Sequence, residues 1–266
     1  KSKINLLIGD NASGKTTIIH ALSKVLSTLF LGFSDENTRY LGLSKSDFTV
    51  LKNNNVLVNE MPIFLIFTYL EVKSSMQLHS KKTNTLKKPL VGISDFGKNL
   101  YKEMFDENKV QVKSLPLIAC FSTKDIHKTR KFSKKVFSDY DKKPSFGYYE
   151  CLQGDGFLPY WTRRMLSLKE ANKGELEIDG VSQAIKKALG SEGCNIIDSI
   201  DIRPIKGNVY YISSDGREVD TENLPDGYRR LINIVVDIAF RCMLLNKGIH
   251  GVNACEKTEG TVLIDE

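Results

Sequence analysis

The chain has 266 residues, 41% of them hydrophobic and 26% charged, with a formal net charge of +6. This is ordinary globular composition, enough for one large domain or two small ones, and no apolar run reaches the ~18 residues a membrane span needs. The mild basicity is compatible with nucleic acid without requiring it. Five cysteines (120, 151, 194, 242 and 255) lack any CxxC spacing, and the four histidines are isolated. That pattern argues against a disulfide frame or a zinc site and predicts reduced, mostly buried thiols in a cytoplasmic protein.

In chain order, residues 1–3 lead straight into an apolar run, "INLLI" (4–8), rather than into a leader peptide, and the run reads as a buried strand. Next comes "GDNASGKTT", which fits G-x-x-x-x-G-K-[ST] at every fixed position from Gly9 to Thr16. Glycines let a backbone curl until several N–H groups point at one anion, and a helix starting at about Gly14 adds its dipole to the same place. Gly9, Asp10, Asn11, Ala12, Ser13, Gly14 and Thr17 are the candidate cradle for a nucleoside triphosphate. Lys15 is the candidate cation for the β- and γ-phosphates, and the Thr16 hydroxyl the candidate ligand for Mg²⁺. An apolar helix is predicted over 17–29.

Residues 48–73 read as two or three strands around the "NNN" turn. The polar, basic stretch 74–90 reads as a loop, and 114–123 as a buried strand. The stretch 124–143 holds eight Lys or Arg, with His127 as a candidate ninth cation, against three Asp. It is a candidate phosphate-binding surface for DNA or RNA, and a solvated face is the competing reading. A helical region follows around 148–171, its aromatics more suited to a core than to base stacking. A short helix is expected at 180–189. Residues 196–205 and 208–218 alternate like a hairpin with an Asp-Gly turn.

A Pro-Asp-Gly turn then opens a long helix, apolar on nearly every face from Leu231 to Leu245 and so expected to be buried. Asp226 is the expected N-cap. Arg229 and Arg230 sit in the first turn, where the helix dipole disfavours cations. Either a nearby anion or pairing with Asp226 or Glu222 would relieve that conflict. The sequence given closes on "GTVLIDE", a buried-strand pattern running into two carboxylates. Paired with the glycine loop, it predicts Asp265 as a Mg²⁺ ligand, through water or the Thr16 hydroxyl, and Glu266 as the general base that polarises water.

With these three motifs together, the chain resembles the ABC-type ATPases of the SMC, RecF and OLD kind. The glycine loop with Asn11 is similar to their Walker A motif, "LPDGYRR" to their signature motif and "VLIDE" to their Walker B motif. The likeness is nearest to the PtuA-type ATPases of the Septu and retron anti-phage systems, and it is loose over the middle of the chain, where no heptads suggest the coiled-coil arms of SMC proteins. It implies an α/β fold, a P-loop NTPase of ABC-ATPase head type, with a mixed sheet, an inserted helical region and an antiparallel β lobe. It implies one domain over 1–266, cut short after Walker B, with a variable insertion at about 74–175.

The resemblance further implies ATP and Mg²⁺ as ligands and a head-to-tail homo-oligomer. In it Asp226, Gly227, Tyr228 and Arg229 of one copy would cap the nucleotide of another. The partners it implies are a PtuB-like HNH nuclease effector and, in retron systems, a reverse transcriptase with its msDNA. The chain departs from the family at Pro225, where serine is usual. Proline offers neither a hydroxyl nor an N–H, and the lost charge-assisted bond is worth about 1.5–3 kcal/mol. Slow hydrolysis is the expected result. The alternative is a DNA-repair ATPase of the RecF or OLD kind acting directly on DNA. A P-loop small-molecule kinase fits poorly, because no buried signature helix precedes Walker B in that group.

Overall fold

The computed structural model describes residues 4–35, 37–47, 50–53, 56–59, 62–79, 88–122, 143–154 and 157–265. The chain is mixed α/β and divides into two units, one running to Glu103 and including Asp265, the other running from Met104 to Ile264.

In the first unit, helix α1 (Lys15–Ser27) buries Ile19, Ser23, Leu26 and Ser27, positions that fall on one helical face. It continues into a 3₁₀ turn, Thr28–Gly32. Helix α2 (Val91–Lys102) packs on that turn at close range: a Cβ on Gly97 would lie 2.3 Å from the Leu29 carbonyl oxygen. Strands β1 (Val50–Asn53) and β2 (Val56–Asn59) form one antiparallel hairpin. Strands β3 (Ile63–Tyr69) and β4 (Val72–Leu78) form a second, with Leu65 opposite Met76 and Tyr69 opposite Val72. Leu70 and Glu71 join them at φ 50° and 65°, the left-handed pair that a two-residue hairpin loop demands even without glycine. Met76, Leu78, Leu90 and Ile93 form the centre of this unit's core, with Leu65 and Phe67 packed against it.

Two sequence expectations fail here. Residues 74–78 are strand rather than loop. Averaged polarity hid an alternation in which Ser74, Met76 and Leu78 face inward while Lys73, Ser75 and Gln77 do not lie buried. Residues 4–8 form no strand, and Ile4, Leu6, Leu7 and Ile8 are exposed. An apolar run becomes a buried strand only where a neighbouring strand and a covering layer receive it. Among the described residues, no strand of its own unit pairs with this run: β1 pairs with β2 and β3 with β4.

The second unit is built on helix α5 (Asp226–His250). Helices α3 (Leu158–Glu170) and α4 (Glu175–Leu189) pack around it, α4 five residues longer at its start than the sequence suggests. Trp161 stacks on Phe240 with ring centroids 4.8 Å apart, and Tyr148, Phe157 and Tyr160 are buried nearby, so the aromatics of 148–171 are core. Strand β5 (Leu117–Phe121), buried throughout, pairs in parallel with β9 (Gly260–Ile264), Phe121 opposite Ile264.

Strands β6 (Ser199–Arg203), β7 (Asn208–Ile212) and β8 (Glu218–Asp220) form an antiparallel lobe. The Asp215–Gly216 turn joins β7 to β8, whereas β6 and β7 are joined through Pro204–Lys206 and Gly207. The predicted hairpin is real, but its Asp-Gly turn belongs to the next one. A short helix, α6 (Ala254–Lys257), precedes β9. No helix among the described residues is long and apolar enough to cross a membrane.

Although α5 is apolar enough to be buried, its buried stretch also carries Asp237, Arg241 and Asn246. Each is satisfied. Arg241 pairs with Asp237 at 2.6 Å and donates to the carbonyls of Gly147 and Tyr149. The Trp161 indole N–H donates to Asp237 at 2.7 Å. The Asn246 amide both accepts from the Leu115 N–H and donates to its carbonyl, 2.8 Å each way. Paired charges and filled amides make such burial tolerable.

Candidate functional site

The glycine loop is the best-defined candidate. Residues 9–13 are exposed, and the helix N-cap is Gly14 at φ 92°, a left-handed conformation that strongly favours glycine. A Cβ at Gly14 would meet nothing within 4 Å, so backbone torsion rather than space selects glycine there. Ala12 is also left-handed, at φ 66°. A non-glycine residue held there costs on the order of 1–2 kcal/mol, and such strain persists only where its surroundings enforce it. Alternation of left- and right-handed residues turns successive N–H groups to one side and makes an anion-binding nest. The sequence placed Ala12 in the cradle but not in this left-handed conformation, because alanine carries no signal for a positive φ.

Lys15 lies back across the loop. Its ammonium donates to the Gly9 carbonyl at 2.6 Å and the Asp10 carbonyl at 2.7 Å. A cation is thus already held within the loop. Thr16, the next residue, donates its hydroxyl to an Asp265 carboxylate oxygen at 3.0 Å. These two residues stand 249 positions apart in the chain, and Asp265 is buried. A hydroxyl and a buried carboxylate oxygen at hydrogen-bond distance, one residue from a lysine, form the hard-oxygen donor set that Mg²⁺ takes. The residues present therefore fit a Mg²⁺–nucleoside triphosphate.

The chain matches the AAA domain over residues 1–192. It belongs to the AAA domain family. ATP hydrolysis is general in this family, and the mixed α/β chain with a parallel strand pair fits a P-loop NTPase. No curated protein matches the chain. The AAA match contains the whole glycine loop and ends before α5, so Asp226–Arg229 and Asp265 rest on the sequence pattern and the geometry alone.

The start of α5 lies in the second unit. Its N-cap is Pro225, not Asp226, which occupies the first turn with a largely exposed side chain. Proline's fixed φ suits an N-terminal position, and its extended ψ of 144° keeps it outside the helix. A Cβ placed on Gly227 would meet nothing within 4 Å, and Tyr228 is exposed. Arg229 donates to the carbonyls of Glu222 at 2.8 Å and Leu224 at 3.0 Å, and it lies 3.7 Å from Asp226. These local contacts answer the conflict between Arg229 and the helix dipole, while the Arg229 Nε is buried without a partner among the described residues. Glu266 and most of the basic stretch 124–143 lie outside the described residues.

Proposed function

We propose that the protein binds Mg²⁺–ATP in the Gly9–Thr17 loop and is an ABC-type head. In this reading, Asp226, Gly227, Tyr228 and Arg229 of one copy close over the nucleotide of another. The observation that carries the reading is the Thr16–Asp265 hydrogen bond beside Lys15, which joins the two sequence motifs a P-loop ATPase requires. Membership of the AAA family supports ATP as the nucleotide. The exposed, uncrowded Gly227 supports a capping role, because a phosphate can approach backbone amides only where no side chain intervenes.

The roles follow from chemistry. The loop's amide groups and Lys15 bind and orient the phosphates. Thr16 and Asp265 would hold Mg²⁺, which when bound neutralises charge between the β- and γ-phosphates. Glu266, next after Asp265, is the general base for water. Pro225 removes a donor to charge that builds as the phosphoryl group leaves, so turnover is slow and the protein acts as a clamp or sensor rather than a motor. Its "LPDGYRR" stretch resembles that of the Septu and retron ATPases, which supports a place in an anti-phage complex with an HNH nuclease under its control.

Calorimetry with a non-hydrolysable ATP analogue tests the reading. Lys15→Ala is expected to abolish binding. Affinity like that of the wild type in this variant would sink the nucleotide assignment.

A further inference from the structure

α1 carries a second polar feature, on its flank rather than at its N-terminus. An open cleft of about 330 Å³ lies between α1 and the segment 39–47, lined by His20 and Lys24 on the helix and by Arg39, Gly42 and Asp47 opposite. All of these residues belong to the first unit. The volume falls at the lower end of the ~300–1,000 Å³ range of small-ligand sites.

The charges in the cleft are unevenly committed. Lys24 donates to the Gly42 carbonyl at 3.0 Å and pairs with Asp47 at 3.1 Å. Asp47 also accepts from the Ser44 amide at 2.7 Å and the Ser44 hydroxyl at 3.0 Å. Among the described residues, the only carboxylate lining the cleft is therefore neutralised and its acceptor sites largely filled, while an ammonium with three N–H groups keeps one to spare. Arg39 and His20 are both exposed, and neither side chain has a hydrogen bond or ion pair among the described residues. Lys24 and Asp47 cancel, so Arg39 leaves the cleft net positive. Its planar fork matches two oxygens of one tetrahedral anion.

We propose that this cleft binds a phosphate group, with Arg39 as the main ligand and His20 and Lys24 as supporting donors. It is a site separate from the glycine loop. His20 follows Lys15 by five residues, about 7.5 Å of helix rise. The phosphate can belong to a nucleic-acid strand or be a free anion, and the chemistry of the cleft is the same for both.

The test uses the full chain as wild type, Lys15→Ala and Arg39→Gln. Arg39→Gln removes an exposed side chain without partners among the described residues, so the fold is retained, which circular dichroism checks. Anisotropy follows a labelled short single-stranded DNA with and without a 5′ phosphate, and calorimetry follows inorganic phosphate. Wild type and Lys15→Ala are expected to bind at least one probe alike, and Arg39→Gln to bind it about 10- to 100-fold more weakly, the worth of a charge-assisted pair of hydrogen bonds. Dependence on the 5′ phosphate assigns a strand end, equal binding of both strands assigns the backbone, and binding of inorganic phosphate alone assigns a free anion. Failure of wild type to bind any probe, or Arg39→Gln binding that matches wild type throughout, overturns the proposal.

Discussion

Helices α1 and α5 both begin at a predicted nucleotide contact, and they begin in opposite ways. α1 starts from a left-handed glycine after an exposed loop, runs for 13 residues and leaves Ile18 and Leu22 exposed on one flank. α5 starts from a proline, runs for 25 residues and is buried through its middle. The first helix has its chemistry at its tip, and its body is held along one face by Ile19, Ser23, Leu26 and Ser27. The second has a plain tip, an exposed glycine and tyrosine, and a body fixed by Asp237, Arg241 and Asn246. Ligand exchange demands a local backbone that is shaped but open. A surface that must meet a second molecule in one register demands a rigid support behind it.

The comparison can be broken most sharply at the tip of α5. If that tip meets a neighbour's nucleotide, Gly227→Trp should abolish ATP-dependent assembly in light scattering while leaving the fold intact, because the position is uncrowded within the chain. Assembly indifferent to both ATP and this variant would remove α5 from the nucleotide site. The body of α5 comes next. Asp237→Ala leaves the Arg241 guanidinium buried without its partner and should cost about 3–5 kcal/mol in urea unfolding. The double variant Asp237→Leu, Arg241→Met should cost less than the single one, since it leaves no buried charge behind.

Smaller again is Pro225→Ser, which restores a donor at the tip. Steady-state phosphate release should rise by at most ~10²-fold if one transition-state hydrogen bond is regained. Brisk turnover in wild type, unchanged by the substitution, would mean that the amides after Pro225 suffice. The smallest effect concerns Glu177 of α4, which joins α5 through Lys247 and α3 through Arg164. Burial alone would raise its carboxyl, but the hydrogen bonds and charges of Arg164 and Lys247 outweigh burial and hold it below the usual 4.5. Its contribution to stability is therefore complete above about pH 4.5 and is lost as pH falls through the lowered value. Urea midpoints measured from pH 6 downward should fall less steeply for Glu177→Gln than for wild type.

What the sequence disclosed follows the physics of each element. The glycine loop was legible because its conformation demands particular residue types at fixed spacing, and the buried β5 because five consecutive positions are apolar or small. The run 4–8 looked equally clear, yet its apolar residues stand exposed, because composition reports what a segment would bury and not whether a partner strand is there. α2 carried no signal strong enough to be placed: Gly92 and Gly97 weaken its helical pattern, and Gly97 is explained only by the backbone it approaches. The cleft of Arg39 and His20 was illegible for a different reason. Its residues are isolated in sequence, 19 positions apart, and only the fold brings them to one opening.

Lys15 resting on the carbonyls of Gly9 and Asp10 has one further consequence. If Lys15 receives the phosphate as proposed, the loop's own oxygens are place-holders, and nucleotide entry would be an exchange of ligands around the ammonium rather than the capture of a bare cation. The affinity for ATP would then be a difference, the strength of the phosphate contact less that of the contact it displaces. A change that weakened the carbonyl contact alone would tighten nucleotide binding without touching the nucleotide.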